Sequence, residues 1–194
     1  MSAGPVQRLP PAQRLPVVGV MGSGRDADES RAEALGRLLA GMGVHLLTGG
    51  GAGAMAAVSR AFHAVPHRVG LVLGVLPSLD DARSDAAPEP PPGYPNDWVE
   101  IAIRTHLPLS GERGTEALSR NHVNVLSADA VVALAGGAGT ASEVALARSY
   151  DRPVMAFVAQ RTDIPELPDD VPHSAALHDV EAFLRKALRT ERPV

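Results

Sequence analysis

The sequence predicts an α/β protein: a single doubly wound (Rossmann-like) domain with a mostly parallel sheet and helices on both faces. Apolar runs of strand length alternate along the chain with segments whose apolar residues recur at helical spacing. Three of the apolar runs lead into glycine-rich turns, at Gly22, Gly49 and Gly136. The length of 194 residues and the hydrophobic content of 45% suit one domain with a full core.

Six strands and five helices are expected. The strands lie near residues 16–21, 44–48, 69–76, 98–104, 130–134 and 153–158. The helices cover about 28–42, 115–126, 140–150 and 176–189, and a further helix runs from the second glycine turn to about 63. In the first helix Ala32, Leu35, Leu38 and Leu39 recur on one side, which indicates that this side packs on the sheet.

Three segments are predicted to be irregular. Residues 1–15 are punctuated by prolines and too polar to form a core element, so we expect a flexible N-terminal arm followed by the domain at 16–194. Residues 77–97 are rich in acids and prolines, and the prolines exclude a helix or a central strand. A loop of this length in a compact domain is often a lid or a disordered insertion. Residues 161–175 are also expected to be loop.

Composition excludes several classes of protein. The formal net charge of −4 argues against a general nucleic-acid binder, which needs a basic face. With no cysteine, the chain cannot form disulfides, thiolate metal sites or cysteine nucleophiles. No apolar run reaches the roughly 18 residues of a membrane helix, and the N-terminus lacks the apolar core of a signal peptide. We therefore expect a cytoplasmic protein with neither membrane nor nucleic acid as a partner.

Cofactor and metal sites are limited by the residues available. Lys186 is the single lysine and lies in the charged terminal helix, so a Schiff base to pyridoxal phosphate is not expected. No glycine turn is followed by the Lys-Ser/Thr of a Walker motif. The seven histidines are scattered, and Pro66 breaks the helix that His63 and His67 would need to bind zinc together. We expect neither a cofactor nor a metal.

The stretch from Leu126 to Glu143 indicates a phosphate site. An apolar strand runs into a turn whose glycines allow the backbone to approach a ligand closely: Gly136, Gly137 and Gly139. The N–H groups and dipole of the following helix would attract an anion, with Thr140 beside it. Thr140 and Glu143 also fit the spacing of a capping box, so Glu143 either faces the ligand or caps the helix.

Two further turns are expected to contribute to the same site. One follows the first strand and contains Gly22 and Ser23; the other follows the second strand and contains Gly49, Gly50, Gly51 and Gly53, with Met55 just after it. Turns at the carboxyl ends of neighbouring parallel strands converge on one crevice. The alternative is that these glycines only permit tight strand-to-helix packing.

A dinucleotide site is not expected, although residues 22–27 match Gly-x-Gly-x-x-Ala. The dinucleotide fold places an acid at the end of the second strand to hold the ribose hydroxyls. The second strand of this chain ends in Thr48 and Gly49 instead. Binding of a nicotinamide or flavin dinucleotide in the usual manner is therefore disfavoured.

Three polar residues of the helix predicted before the strand at 130–134 are candidate ligand contacts. Arg120 and Asn124 are four residues apart and share a helix face, with Asn121 next to them. An arginine there could bind a phosphate with two hydrogen bonds or orient a carboxylate. The alternative is that Arg120 and Asn124 are solvated surface residues.

Together these motifs resemble the Lonely Guy (LOG) superfamily, long labelled "possible lysine decarboxylase". The resemblance rests on residues 49–55, on the pair Arg120-Asn121 and on residues 136–143, in that order along the chain. In the phosphoribohydrolase members, a glutamate and an arginine act on a nucleoside 5′-monophosphate and release the free base. The resemblance implies these catalytic roles for Glu143 and Arg120. The single lysine argues independently against the decarboxylase label.

Two departures from the enzymatic members indicate a particular branch. Ala135 stands where those members have proline, and Arg120 is followed by Asn121 rather than lysine. The Arg-Asn pair is similar to the branch that includes the molybdenum-cofactor carrier proteins, which bind an anionic, phosphate-bearing ligand. Two functions stay open: hydrolysis of the N-glycosidic bond of a nucleoside 5′-monophosphate, or non-catalytic carriage or sensing of a phosphorylated cofactor. The resemblance also implies a homodimer or higher homo-oligomer.

Overall fold

The computed structural model of the chain describes residues 14–25, 28–79 and 89–190. Within them, seven strands form one sheet: β1 (Val17–Met21), β2 (His45–Thr48), β3 (Val72–Leu76), β4 (Ile101–Arg104), β5 (Ala130–Ala133), β6 (Val154–Phe157) and β7 (His173–Ser174). Their order across the sheet is β4-β3-β2-β1-β5-β6-β7, and every neighbouring pair is parallel. The predicted α/β fold is confirmed, with a parallel rather than mixed sheet.

Five α-helices in the described residues cover both faces of the sheet. They are α1 (Glu29–Met42), α2 (Ala54–His63), α3 (Asn121–Leu126), α4 (Ala138–Ser149) and α5 (Leu177–Thr190). Helices α1, α2 and α5 pack on one face, and α3 and α4 pack on the other. Successive side chains of a strand point to opposite faces. Val20 therefore packs in the core beneath α1, α2 and α5, and Met21 packs in the core beneath α3 and α4.

Helix α1 shows how local sequence sets these elements. The carboxylate of Asp28 accepts a hydrogen bond from the backbone N–H of Arg31 (3.1 Å) and so caps the first turn. Gly43 ends the helix in the left-handed conformation, with φ 70°. Between them, Ala32, Leu35 and Leu39 form the buried stripe that the sequence predicts.

Strands β3 and β4 are shorter than predicted, because both begin three residues later than the expected 69 and 98. Val69 is 65% exposed and lies outside the sheet. Before β4, the side-chain oxygen of Asn96 accepts the N–H of Trp98 (3.1 Å), and the Asn96 carbonyl accepts the N–H of Val99 (3.2 Å). These two bonds hold the segment in a turn, which the alternation of apolar residues alone does not reveal.

The prediction of a helix over 115–126 is wrong in its first half, since α3 begins only at Asn121. Residues 111–113 form a single 3₁₀ turn, and Leu109 pairs with Ser119 in an isolated parallel bridge. The backbone N–H of Arg120 reaches the Leu109 carbonyl (3.4 Å) instead of a carbonyl of its own helix. The prediction of loop over 161–175 is also incomplete, because β7 lies within it and pairs with β6.

Parts of other predictions fall outside the described residues. This holds for residues 1–13 of the expected arm, for Asp26 and Ala27 of the first glycine turn, and for 80–88 of the proline-rich loop. The described end of that loop, residues 89–97, is attached to the second glycine turn: the N–H of Asn96 donates to the Gly50 carbonyl (2.8 Å). The loop therefore reaches the carboxyl edge of the sheet.

Gly36 and Gly41 of α1 provide a matched test of the packing between α1 and α2. A Cβ at Gly36 would overlap the Val58 carbonyl oxygen and lie 3.0 Å from the Phe62 nitrogen, whereas a Cβ at Gly41 would meet nothing within 4 Å. We predict that Gly36→Ala lowers the free energy of unfolding by about 1–3 kcal/mol through overpacking. Gly41→Ala should raise it by about 0.5–1 kcal/mol.

Urea denaturation followed by circular dichroism would measure both changes. Equal effects of the two substitutions would contradict the close approach of the helices, because helix propensity alone favours alanine at both positions.

Candidate functional site

The topology brings the three glycine turns together at one edge of the sheet. Strand β1 lies between β2 and β5, and all three run parallel, so their carboxyl ends meet at the same edge. The strand order reverses between β1 and β5, which is the position where ligands bind in open α/β sheets. The turns after β1, β2 and β5 therefore surround the switch point of the sheet.

Backbone hydrogen bonds at Ser23 join these turns. The N–H of Ser23 donates to the carbonyl of Ala135 in the third turn (3.1 Å), and its carbonyl accepts the N–H of Ala54 at the start of α2 (2.9 Å). A Cβ at Gly53 would overlap that carbonyl, and Gly53 also has φ 61°. Glycine at this position lets the first and second turns touch.

A cleft of about 480 Å³ opens between the turns, within the range of small-molecule sites. Ten of the residues predicted to form the site line it: Gly22, Ser23, Gly49, Met55, Arg120, Asn121, Gly137, Gly139, Thr140 and Glu143. Five others do not: Gly50, Gly51, Gly53, Asn124 and Gly136. The expected convergence of the turns is thus present, although not every glycine faces the cleft.

The five predicted residues that do not line the cleft pack against residues that surround it. Gly50, with φ 74°, packs against Leu76, and Gly51 packs against Tyr94 and Met55. A Cβ at Gly136 would overlap the Thr140 hydroxyl, so this glycine lets the third turn fold onto its own helix. For these positions, the interpretation that glycine permits close packing is the better one.

Helix α4 begins at the cleft with an uncapped first turn. Its N-cap is Gly137, which offers no side-chain hydrogen bond, and the next three residues, 138–140, line the cleft. The first N–H groups of a helix lack partners within it and favour an anion. The helix starts earlier than predicted, so Thr140 is its third residue and the proposed capping box of Thr140 and Glu143 does not form.

Arg120 is a buried cation, only 5% exposed, rather than the solvated arginine that was the alternative. Its Nη1 donates to the Val75 carbonyl (2.9 Å), while its Nε has no hydrogen-bond partner in the described structure. A Cβ at Gly49 would overlap the guanidinium, so only glycine leaves room for it at the end of β2. A buried guanidinium with an unused donor beside a cleft can bind an anionic or polar group.

Glu143 is a buried carboxyl at the same cleft, 8% exposed. Its Oε1 accepts a hydrogen bond from Nδ2 of Asn124 (3.0 Å). Burial raises the pKa of Glu143, against the opposing effects of the Arg120 charge and the Asn124 hydrogen bond. The carboxyl thus holds its proton more tightly than an exposed glutamate does, which lessens its repulsion of an anion.

The two asparagines of α3 position their neighbours. Asn121 donates from Nδ2 to the Ser142 hydroxyl (3.0 Å), which donates to the Gly139 carbonyl (2.7 Å). This chain of bonds connects α3 to the first turn of α4. Asn124 is fully buried and orients Glu143, so the interpretation of Asn124 as a surface residue is wrong.

Sequence analysis missed several residues of the cleft. Arg25, Tyr94 and the segment 110–112 line it, and they come from the end of the first turn, the proline-rich loop and the segment between β4 and α3. Arg25 directly follows the predicted Gly-Ser-Gly and could have been included on that basis. Nothing in the loop sequences indicates where they fold back, so the other positions required the structure.

The described residues contain neither a membrane-spanning helix nor a cluster of metal ligands. No α-helix in 14–25, 28–79 or 89–190 is long and apolar enough to cross a membrane. In the same ranges, no three His, Asp or Glu side chains cluster in a way that could hold a metal ion. The expected absence of a metal and of a cofactor stays a prediction.

The fold and the cleft define a Rossmann-like protein with a candidate ligand site at the switch point of the sheet. More particularly, the chain belongs to the SLOG cluster4 family, whose model matches residues 15–182. The expected membership of the LOG-like superfamily is thereby confirmed. An uncharacterized protein of Archaeoglobus fulgidus is 31% identical over 136 residues, which are 69% of this chain and 74% of that protein.

Solved structures agree with this assignment. The molybdenum cofactor binding protein of Rippkaea orientalis is 32% identical, with a TM-score of 0.70 over 91% of this chain and 99% of that one. The molybdenum cofactor carrier protein of Chlamydomonas reinhardtii is 30% identical, with a TM-score of 0.67 and the same coverage. The second of these is a molybdenum cofactor carrier protein, the kind of protein that the resemblance of the Arg-Asn pair names.

The raised pKa of Glu143 predicts how stability depends on pH. A carboxyl whose pKa is higher in the folded than in the unfolded chain stabilises the fold at low pH, and this contribution is lost as pH rises through the folded-state pKa. Glu143→Gln cannot ionise and should be more stable than the wild type at pH 8 by about 1 kcal/mol or more. The difference should shrink toward pH 5.

Urea denaturation across this pH range would test the prediction, with Glu112→Gln as the control because Glu112 is an exposed carboxyl of the same cleft. A Glu143→Gln protein less stable than the wild type at pH 8, with no pH trend, would contradict a destabilising ionised carboxyl.

Proposed function

We propose that the protein binds a phosphorylated, nucleotide-like small molecule in the cleft at the switch point, as a carrier or sensor of that molecule. The observation that supports this most directly is the uncapped first turn of α4, which lines the cleft together with the buried Arg120. Backbone N–H groups and a guanidinium are the donors that proteins use for phosphate.

The charges at the cleft favour an anionic ligand. Arg120 is buried in its wall, and Arg25 is exposed and lines it from the first turn. Two acids oppose them: Glu112, which is exposed to solvent, and Glu143, which is buried and has a raised pKa. Burial raises the pKa of Glu143, which weakens the opposition of this carboxyl to an anion beside Arg120.

The structural relatives support the carrier function. Two chains at 30–32% identity, each matched over 99% of its length, are a molybdenum cofactor binding protein and a molybdenum cofactor carrier protein. A phosphorylated cofactor such as the molybdenum cofactor is therefore our leading candidate for the cargo. A homodimer or higher homo-oligomer, implied by the resemblance to the superfamily, stays an expectation.

Hydrolysis of a nucleoside 5′-monophosphate is the second candidate, and the position of Glu143 favours it. Glu143 does not cap α4 but faces the cleft near Arg120. In this mechanism Arg120 orients the nucleotide and Glu143 positions the ribose or the attacking water. The N-glycosidic bond breaks with oxocarbenium character, and its electron pair leaves with the base. Water adds to C1′, and the proton that the water loses ends on the released base.

Chromatography of products after incubation with a panel of nucleoside 5′-monophosphates distinguishes the two functions. Free base that appears with the wild type and with Glu181→Gln, a carboxyl of α5 outside the cleft, but not with Glu143→Gln, would establish hydrolysis. Ligand binding without base release would favour the carrier.

Gly137 offers a test of the anion site that separates binding from stability. A Cβ at Gly137 meets nothing within 4 Å, and φ there is −93°. An aspartate at this N-cap can accept hydrogen bonds from the first N–H groups of α4 and places a negative charge in the cleft. We predict that Gly137→Asp keeps or slightly raises the melting temperature but abolishes the thermal shift that guanosine 5′-monophosphate gives the wild type.

Gly41→Asp is the matched control, because Gly41 is equally open and lies away from the cleft, on the exposed side of α1. A Gly137→Asp protein that retains the full thermal shift would contradict anion binding at the start of α4.

A further inference from the structure

Tyr94 is an aromatic side chain placed at the cleft by the proline-rich loop. It is half-buried, lines the cleft and contacts the second glycine turn: a Cβ at Gly51 would lie 2.7 Å from its Cζ and Oη. Met55 also packs against Gly51, since a Cβ at Gly51 would lie 2.9 Å from the Met55 Cε. Tyr94 and Met55 therefore form one apolar part of the cleft wall.

Hydrogen bonds fix the loop segment that contains Tyr94. The backbone N–H of Asn96 donates to the Gly50 carbonyl (2.8 Å), and its Nδ2 donates to the Gly51 carbonyl (2.8 Å). The N–H of Tyr94 donates to the Pro91 carbonyl (3.1 Å), which closes a turn. Two hydrogen bonds to the second glycine turn and one within the loop thus hold the segment that carries the aromatic ring.

Aromatic residues are scarce in this chain, which has one Trp, two Tyr and three Phe. Among the lining residues of the cleft, Tyr94 is the sole aromatic one. Phe62 and Phe157 are buried in the core, and Tyr150 pairs with His122 away from the cleft. The use of one of few aromatic rings in a half-exposed position beside the ligand cleft requires an explanation beyond core packing.

We propose that Tyr94 and Met55 bind the planar aromatic ring of the nucleotide-like ligand, so that Tyr94 is a residue that determines specificity at this site. This inference rests on the proposed function, because it assigns the phosphate to the start of α4 and to Arg120. A tyrosine ring offers a π face for stacking, and a methionine thioether makes favourable contacts with aromatic rings. The volume of about 480 Å³ accommodates a ring and a phosphate together.

The inference separates the energetic contributions of the two ends of the ligand. The phosphate contributes affinity through the N–H groups of α4 and the Arg120 guanidinium, whatever is attached to it. The ring contributes through Tyr94 and Met55, whichever heterocycle it is, because stacking on an aromatic side chain tolerates different bases. Removing the Tyr94 ring should therefore weaken ligands that contain a heterocycle and leave ring-free phosphates unaffected.

Isothermal titration calorimetry with two probes tests this separation: guanosine 5′-monophosphate, which contains a ring system, and ribose 5-phosphate, which does not. We predict that the wild type binds the nucleotide about tenfold or more tightly than the sugar phosphate. Tyr94→Ala should lose most of that preference with unchanged affinity for ribose 5-phosphate, whereas Tyr94→Phe should keep it. Tyr150→Ala, which removes the other tyrosine, should behave as the wild type.

Each outcome decides a different claim. If Tyr94→Ala and the wild type bind the nucleotide equally well, or if the wild type shows no preference for it, the ring site is wrong while phosphate binding stands. If neither probe binds the wild type, the proposed function fails, and the inference fails with it. If Tyr94→Phe loses the preference as fully as Tyr94→Ala, the hydroxyl rather than the ring is responsible, and stacking is overturned. Melting temperatures of all variants would verify that they are folded.

Discussion

The backbone of Ser23 is the point on which the geometry of the site depends. Its N–H and carbonyl are bonded to the third turn and to the start of α2, so three turns that are far apart in sequence form one rigid edge. A side chain at Gly53 would overlap the Ser23 carbonyl, and a side chain at Gly22 would lie 2.9 Å from the Ala54 Cβ. The glycines at this edge are needed because the backbones of the turns lie in close contact. The same contact places the start of α4 at the cleft.

Burial of Arg120 and Glu143 beside this edge is the main energetic cost of the site. An ionised carboxylate removed from water is unfavourable unless it is well paired, and the raised pKa of Glu143 indicates that burial outweighs the charge of Arg120. Arg120 also keeps an unpartnered Nε. Buried polar groups without a full set of hydrogen-bond partners are common at ligand sites. Such groups lower the free energy of unfolding and are retained because they bind the ligand.

Much of the fold and part of the site could be predicted from the sequence. The strand-turn-helix pattern and the glycines identified the sheet, its carboxyl edge and the positions of Arg120 and Glu143, because those features depend on local sequence. The first half of the helix expected over 115–126 is absent because the Leu109 carbonyl accepts the N–H of Arg120, a contact between segments that no local pattern encodes. Tyr94 was missed for the same reason, since Asn96 brings it to the second turn through bonds to distant carbonyls.

The central claim is that an anion binds at the start of α4, between the three turns. A titration of the isotopically labelled protein with guanosine 5′-monophosphate, followed by amide chemical shifts, tests it most directly. We predict that the amide chemical shifts change most at residues 138–140 and at Gly22 to Gly24. The changes should saturate at a 1:1 stoichiometry. Shifts confined to a separate concavity at the end of α4, lined by Arg148, Arg152 and Asp170, or no shifts at all, would contradict it.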